Sequence, residues 1–168
     1  TGDTGKKLEE SIVEVVNQYN ACLIGPNCIG VMTPHHTSVF TTPIPNLRAD
    51  GCDFISGSGA TAVFIIESGI PKGIGFSSVF SVGNSAQTGV EDLLEYFDRS
   101  YIPGISSDVK LLYIEKIDDP DRLLYHASSL IRKGCKIAAI KAGSTTAGSL
   151  AATSHTGAMA SSDAAVEA

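Results

Sequence analysis

Residues 52–69, with the sequence CDFISGSGATAVFIIESG, decide the fold of this 168-residue chain. They begin with a short apolar run, pass through the turn Ser56-Gly57-Ser58-Gly59, and continue into a longer apolar segment that stops at Gly69. A short apolar run bounded by glycines is typical of a buried strand, and the segment after the turn has the length of a helix. The sequence therefore predicts a strand at residues 52–56, a tight turn, and a helix at residues 60–68.

The same alternation of apolar strands and helices continues along the chain. Helix candidates alternate with further strand candidates at residues 76–82, 109–115 and 135–140. Strands that alternate with helices predict βαβ units, and therefore a parallel sheet that is covered on both faces. Such strands are near-continuous apolar runs, as these are. We expect an α/β fold with a doubly wound parallel sheet of the flavodoxin-like type.

Two helix starts carry capping signals. Thr88 and Glu91 have the spacing of a capping box, in which each side chain bonds the backbone N–H of the other residue. Asp119 followed by Pro120 is typical of an N-cap and the first helical position. His126 falls within this last helix, and we expect it on the helix surface.

The N-terminal part of the chain has a less regular pattern. Apolar spacing predicts a helix at residues 6–19, and a short strand candidate follows at residues 21–24. Residues 33–50 contain three prolines and no clear periodicity, which is typical of a connection between two modules.

Composition and charge exclude several classes of protein. Hydrophobic residues make up 43% of the chain and charged residues 18%, which is typical of a globular domain. The net charge of −6 and the lack of a basic cluster argue against nucleic acid and anionic membranes as partners. No apolar run approaches the roughly 18 residues that cross a bilayer. The four cysteines form no CxxC pair, so we expect reduced thiols, a cytoplasmic location and no metal site.

The carboxyl ends of the predicted strands indicate where a ligand binds, because this edge of an open α/β sheet carries the site. The strands end in Ser56-Gly57-Ser58-Gly59, in Gly83-Asn84, at Glu115 and in Lys141-Ala142-Gly143, after which the chain leads to His155. The glycine-rich turn opens a helix, whose unpaired amides and dipole attract an anion. The edge therefore predicts an anion site beside a carboxylate and an imidazole.

Each of these features also has an ordinary structural explanation. Gly/Ser turns often only connect a strand to a helix, and Glu115 has the position of a solvated strand-end carboxylate. His155 lies in an uncharged stretch, residues 143–162, whose composition also fits a linker, although the capping residues after it favour an ordered loop. The residues alone therefore leave the ligand open.

Five motifs are more specific when they are taken in order. They are GPNCIGVMTP at 25–34, FISGSGATAV at 54–63, SVGNSAQTGVEDLLEYF at 81–97, LYIEKI at 112–117 and KAGSTTAGSLAATSHTGAMASSDA at 141–164. Together they resemble the NDP-forming acyl-CoA synthetases, above all the α subunits of the ADP-forming acetyl-CoA synthetases and more distantly the succinyl-CoA synthetase α chain. The resemblance implies that residues 1–45 end a Rossmann-like CoA-binding domain and that residues 46–168 form a flavodoxin-like CoA-ligase domain.

The resemblance also implies roles for individual residues. His155 matches the histidine that is transiently phosphorylated, and Glu115 matches the carboxylate that stabilises the phosphohistidine. The helix N-terminus that faces the phosphate corresponds to Ser58, Gly59 and Ala60. The CoA and substrate cleft corresponds to Asn27, Cys28, Gly83 and Asn84. Gly57 departs from the family, in which Gln is common at this position, and the change alters either acyl-group recognition or only the stiffness of the turn.

The implied reaction interconverts acyl-CoA, phosphate and ADP (or GDP) with acid, CoA and ATP (or GTP) through the phosphohistidine. The resemblance places the nucleotide and its Mg²⁺ on an ATP-grasp domain or subunit, so that domain, the CoA-binding domain and an oligomeric full-length protein are the expected partners. Because the chain starts at Thr1 rather than Met, we expect it to be a piece of that protein.

Two other functions are weighed against this enzyme. One is a non-catalytic CoA-sensing or regulatory domain of the kind fused to some protein acetyltransferases, against which the presence of both His155 and Glu115 argues. The other is a flavodoxin-like module for a flavin or for receiver-type phosphorylation. A receiver needs clustered acidic residues at the first strand end, and Ser56-Gly57-Ser58 offers none.

Overall fold

The computed structural model describes residues 2–143, and the predicted site residue His155 lies outside them. Within these residues the helices are α1 (Asp3–Gln18), α2 (Gly59–Gly69), α3 (Val90–Ser100) and α4 (Pro120–Arg132), and a one-turn 3-10 helix (Ile70–Lys72) follows α2. The strands are β1 (Gly30–Thr33), β2 (His36–Val39), β3 (Leu47–Ser56), β4 (Phe76–Ser81), β5 (Val109–Ile114) and β6 (Lys136–Lys141). None of the described helices is both long and apolar enough to cross a membrane.

The strands of the described residues form one sheet in the order β2-β1-β4-β3-β5-β6. Strands β3 to β6 are parallel to one another, whereas β1 pairs antiparallel with both β2 and β4. In the parallel part, β3 lies between the strands that follow it in sequence, which is the flavodoxin-like order with its switch point between β3 and β5. The predicted doubly wound α/β fold is confirmed.

Apolar side chains cover both faces of the sheet. Ala62 and Ile66 of α2 belong to the core on one face, and Leu94 of α3 and Leu130 of α4 belong to the core on the other. Each of these side chains is at most 1% exposed. Because the central strands contact a helix layer on either side, consecutive apolar residues such as Phe54 and Ile55 of β3 are both buried, one in each core.

The N-terminal part differs from the prediction in two places. Residues 21–24 are not a strand, because the side chain of Gln87 bonds the Leu23 amide and the Ala21 carbonyl in place of a neighbouring strand. Residues 33–50 are more regular than expected, since they contain β2 and the start of β3. The β1–β2 hairpin extends the sheet beyond β4, and the domain boundary at residues 45/46 stays a prediction.

A charged cluster joins α3 to α4 and corrects the prediction for His126. The side chain is buried, 7% exposed, rather than on the helix surface. Its Nδ1 lies 2.8 Å from Asp98 Oδ2, and Lys133 Nζ donates to Asp98 Oδ1 at 2.7 Å. Burial alone would raise the pKa of Asp98, but hydrogen bonds from Lys133, His126 and Ser129 hold it below its ordinary value.

The substitution Asp98→Asn is expected to destabilise the fold at neutral pH and to matter little in acid. Because the pKa of Asp98 is lower in the folded chain than the ordinary value of about 3.9, its contribution is present above roughly pH 4 and is lost as the pH falls through the folded pKa. Melting temperatures of wild type and variant between pH 7 and pH 3 should therefore converge towards acid pH. A difference that stays constant over this range would contradict the prediction.

Candidate functional site at the carboxyl edge of the sheet

The turn that follows β3 is fixed by bonds within itself and to β5. The Ser56 hydroxyl donates to the Ser58 carbonyl at 2.7 Å and accepts from the Ser58 amide at 3.2 Å. The Gly57 amide donates to the Tyr113 carbonyl at 2.8 Å, so the turn is also held by the neighbouring strand. The turn therefore stands at the switch point between β3 and β5 in a defined conformation.

Glu115, the residue directly after β5, lies against this turn. A Cβ atom added to Gly57 would lie 3.2 Å from the Glu115 backbone nitrogen and 3.5 Å from its Cβ and Cγ atoms. The absence of a side chain at Gly57 therefore lets the stem of Glu115 pass close to the turn. Any larger residue at position 57 would have its side chain alongside that of Glu115.

The N-terminus of α2 offers amides to an anion. Ser58 caps the helix, because its hydroxyl accepts from the Thr61 amide at 3.3 Å, and the first turn carries no acidic residue. Within residues 2–143 the amides of Gly59 and Ala60 have no acceptor. These amides and the helix dipole favour a negatively charged group here, next to the turn against which Glu115 lies.

The predicted cleft residues form one continuous wall. The Asn27 side chain donates to Asn84 Oδ1 at 3.3 Å, and the Asn84 amide donates to the Pro26 carbonyl at 2.9 Å. Gly83 has a φ of +56°, and a Cβ atom there would lie 2.2 Å from the Pro26 oxygen. The loops at residues 25–29 and 83–86 are thus in direct backbone contact.

The first of these loops also reaches the start of α2. The Ile29 amide donates to the Ser81 hydroxyl at 3.2 Å, and a Cβ atom on Gly59 would lie 2.7 Å from Ile29 Cγ2. Cys28 is half-buried, and its thiol donates to the Ile24 carbonyl at 3.8 Å. An open cavity of about 670 Å³ adjoins this loop and is lined by Cys28, Ile29 and the β1–β2 hairpin.

The described residues hold no group of three or more His, Cys, Asp or Glu side chains that could bind a metal ion. All four cysteines are free, and Cys52 and Cys135 are buried. Burial raises the pKa of both buried thiols, which keeps them protonated at neutral pH.

Comparison with known proteins shows to which family this chain belongs. Residues 49–168 match the family described as the succinyl-CoA ligase like flavodoxin domain. The chain belongs to this family. Over 163 residues the chain is 39% identical to the α subunit of an ADP-forming acetate–CoA ligase II of Pyrococcus furiosus, an alignment that covers 96% of the chain and 34% of the relative.

Two further matches agree with the first. The chain is 39% identical over 164 residues to an ADP-forming acetate–CoA ligase of Methanocaldococcus jannaschii, with 96% of the chain and 22% of the relative covered. It also resembles the solved structure of a Ca. Korarchaeum cryptofilum dinucleotide-forming acetyl-coenzyme A synthetase 1 in complex with phosphate and ADP, with a TM-score of 0.81, 34% identity, and coverage of 96% of the chain and 34% of that structure. The chain therefore spans between about a fifth and a third of the length of these relatives.

Two residues that shape this site were not singled out as site residues from the sequence. Gln87 joins the cleft loop to α1, since its side-chain nitrogen donates to Asn17 Oδ1 at 2.6 Å. The spacing predicts a capping box of Glu91 with Thr88, but the Gly89 amide donates to Asp92 at 2.7 Å, and Glu91 is buried. The helical spacing of Glu91 from Leu94, a core residue, was the available signal that it faces inwards.

Proposed function

We propose that this CoA-ligase domain is the catalytic part of an ADP-forming acyl-CoA synthetase, which interconverts acyl-CoA, phosphate and ADP with acid, CoA and ATP. The observation that carries the proposal is the N-terminus of α2, whose Gly59 and Ala60 amides have no acceptor within residues 2–143 and directly follow the turn at Gly57, against which Glu115 lies. Relatives named as ADP-forming acetate–CoA ligases support ADP as the nucleotide and acetate as the first acid to test.

The proposed chemistry divides the reaction into transfers through a covalent intermediate. A phosphate oxygen attacks the thioester carbon, and the CoA thiolate leaves to give an acyl phosphate. An imidazole nitrogen of His155 then attacks phosphorus, and the carboxylic acid leaves as its anion. A β-phosphate oxygen of ADP finally takes the phosphoryl group from the histidine and yields ATP.

The described residues supply binding and orientation for these steps. The Ser58, Gly59 and Ala60 segment is suited to the phosphoryl group, because preorganised amides stabilise charge that develops on its oxygens. Glu115 would accept a hydrogen bond from the imidazole and favour its cationic, phosphorylated form. Asn27, Cys28, Gly83 and Asn84 form the wall along which the reactive end of acyl-CoA would lie.

The domain is proposed to act with partner domains. Residues 1–45 are assigned to the end of a CoA-binding domain, and the outward face of α1 supports such a contact with the exposed side chains Leu8, Ile12, Val15 and Tyr19. An ATP-grasp domain or subunit would hold the nucleotide and its Mg²⁺, in an oligomeric protein of the cytoplasm. The relatives, which are about three to four times as long as the chain, have room for such domains.

The test is phosphorylation of the full-length protein by ATP labelled on its γ-phosphate. Wild type is expected to carry phosphate that is labile in acid and stable in alkali, and to release it on addition of acetate and CoA. His155→Asn should carry none, and Glu115→Gln should carry less at equilibrium, because the phosphohistidine loses its stabilising carboxylate. Label on the His155→Asn protein, or turnover that survives this substitution, would reject the proposal.

A further inference from the structure

Glu91 is a buried carboxylate for which the proposed chemistry has no use. The residue is 3% exposed and is the second residue of α3. Its Oε1 atom accepts from the amides of Asp118 at 3.0 Å and Asp119 at 3.2 Å. The start of α3 is capped by Asp92 instead, which accepts from the Gly89 amide. Glu91 therefore holds a different part of the chain.

That part is the loop between β5 and α4, residues 115–119, which begins with Glu115. At the β5 end, the Ala142 amide bonds the Ile114 carbonyl at 2.8 Å and fixes the last residue of the strand. At the other end, Glu91 holds the backbone of Asp118 and Asp119. Glu115 thus lies on a short segment whose two ends are both fastened, and α3 provides one of the two attachments.

The site of Glu91 is built for a carboxylate. A buried charge is costly unless it is hydrogen-bonded, and here two backbone amides meet one oxygen atom. The N-terminal turn of α3 adds a favourable dipole. The other carboxylate oxygen of Glu91, Oε2, has no donor among the described residues. It lies 2.7 Å from the position that a Cβ atom on Gly89 would occupy. The carboxylate is therefore held mainly through its bonds to the loop.

We propose that Glu91 is a positioning residue, which sets the place of Glu115 relative to the α2 N-terminus by anchoring the loop that carries it. The inference rests on the proposed function, in which Glu115 stabilises the phosphohistidine. Loss of the anchor would release two amides and let the backbone after β5 shift. A displacement of about 1 Å at a group that orients a reacting atom can lower a rate by roughly 100-fold.

Substitutions at Glu91 separate an anchoring role from a general loss of stability. Glu91→Gln keeps an oxygen that accepts from both amides, whereas Glu91→Leu removes it at similar volume. Glu95→Gln is the matched control, because Glu95 lies on the same helix and pairs with Arg122 of α4 but does not touch residues 115–119. If leucine prevents folding, Glu91→Ala removes the same acceptor and takes its place.

The experiment makes two kinds of measurement on the full-length protein. The first is kinetic and gives the rate of phosphohistidine formation from labelled ATP and the KM for CoA. The second is amide hydrogen exchange in the peptide that spans residues 115–119. Glu91→Leu is expected to slow phosphorylation about 10-fold or more, with KM for CoA unchanged and exchange in the peptide faster. Glu91→Gln should stay within about threefold of wild type, because it preserves the geometry of the loop. Glu95→Gln should leave both measurements unchanged.

The outcomes distinguish this inference from the function on which it depends. If wild type is phosphorylated and Glu91→Leu is phosphorylated at the same rate, the positioning role is overturned while the proposed function stands. A loss of rate that is equal in the leucine, glutamine and Glu95→Gln proteins would also overturn it, since that pattern reflects stability alone. If wild type carries no acid-labile phosphate, the proposed function is overturned and this role falls with it.

Discussion

Replacing Lys110 with methionine is expected to destabilise the domain by about 3–5 kcal/mol, because the change leaves a buried carboxylate without its counter-charge. Lys110 is 1% exposed, and its Nζ donates to Asp53 Oδ2 at 2.6 Å and to the Ser107 carbonyl at 2.7 Å. Asp53 is 6% exposed, and its second oxygen accepts from the Ser78 hydroxyl at 2.6 Å. The pair thus joins β3, β4 and β5 at the end of the sheet opposite the candidate site.

The expected loss of stability comes from the Asp53 carboxylate, which stays buried without a counter-charge. The intact pair of Lys110 and Asp53 adds little net stability by itself. Removing the charges of Lys110 and Asp53 from water costs desolvation free energy, which their attraction and the added hydrogen bonds roughly offset. The Phe97 ring, whose centroid lies 5.0 Å from Lys110 Nζ, adds a cation–π contact. The double variant Lys110→Met with Asp53→Leu should therefore recover most of the stability that the single variant loses.

Native-state hydrogen exchange of the β3 and β5 amides measures this effect within the full-length protein, since it reports local free energies of opening. The single variant should exchange far faster than wild type in both strands, and the double variant should lie near wild type. A single variant within about 1 kcal/mol of wild type would mean that the Asp53 carboxylate finds water or another donor.

A strand could be predicted from the sequence only where it contains a run of apolar residues. Strands β3 to β6 could be predicted from the sequence because each contains a short apolar run, although residues 138–140 of β6 are exposed. Strand β2 could not, because His36, Thr37 and Ser38 are exposed and give no apolar run. The irregular composition of residues 33–50 was therefore interpreted as a connection, although a strand of the sheet lies within it.

The misplaced capping box has a different cause. The spacing predicts a capping box of Thr88 with Glu91, whereas in the structure the helix start is one residue later and the Gly89 amide donates to Asp92. The difference depends on the loop after β5, whose amides bind Glu91. The burial of His126 likewise depends on Asp98, which lies on another helix. Partners from distant parts of the sequence decide both cases.

Part of the candidate site could be predicted from the order of the strands, and the rest depends on tertiary contacts between distant segments. The position of Glu115 next to the turn after β3 follows from strand order, because parallel strands end at one edge. The contact between the loops at residues 25–29 and 83–86 has no counterpart in any local pattern. The roles assigned to His155, Glu115 and the cleft residues remain predictions that the phosphorylation experiments test.

Replacing Gly83 with alanine is expected to separate those two loops and to weaken CoA binding by roughly 10-fold or more, the range that misplaced binding groups produce. A Cβ atom at this position would lie 2.2 Å from the Pro26 oxygen and 2.6 Å from the Asn27 oxygen. Both are backbone atoms, so the loops themselves must move apart. The φ of +56° adds strain of roughly 1–2 kcal/mol for a residue with a side chain.

Gly104→Ala is the matched control for that strain. Gly104 has a φ of +76°, but a Cβ atom there would meet no atom within 4 Å. It should therefore lose a comparable amount of stability while KM for CoA stays at the wild-type value. In steady-state kinetics of the full-length protein, Gly83→Ala should raise this KM far more than Gly104→Ala does. Equal KM values for the two variants would show that the contact between the loops contributes nothing to CoA binding, and the assignment of Asn27 and Asn84 to the cleft would then be wrong.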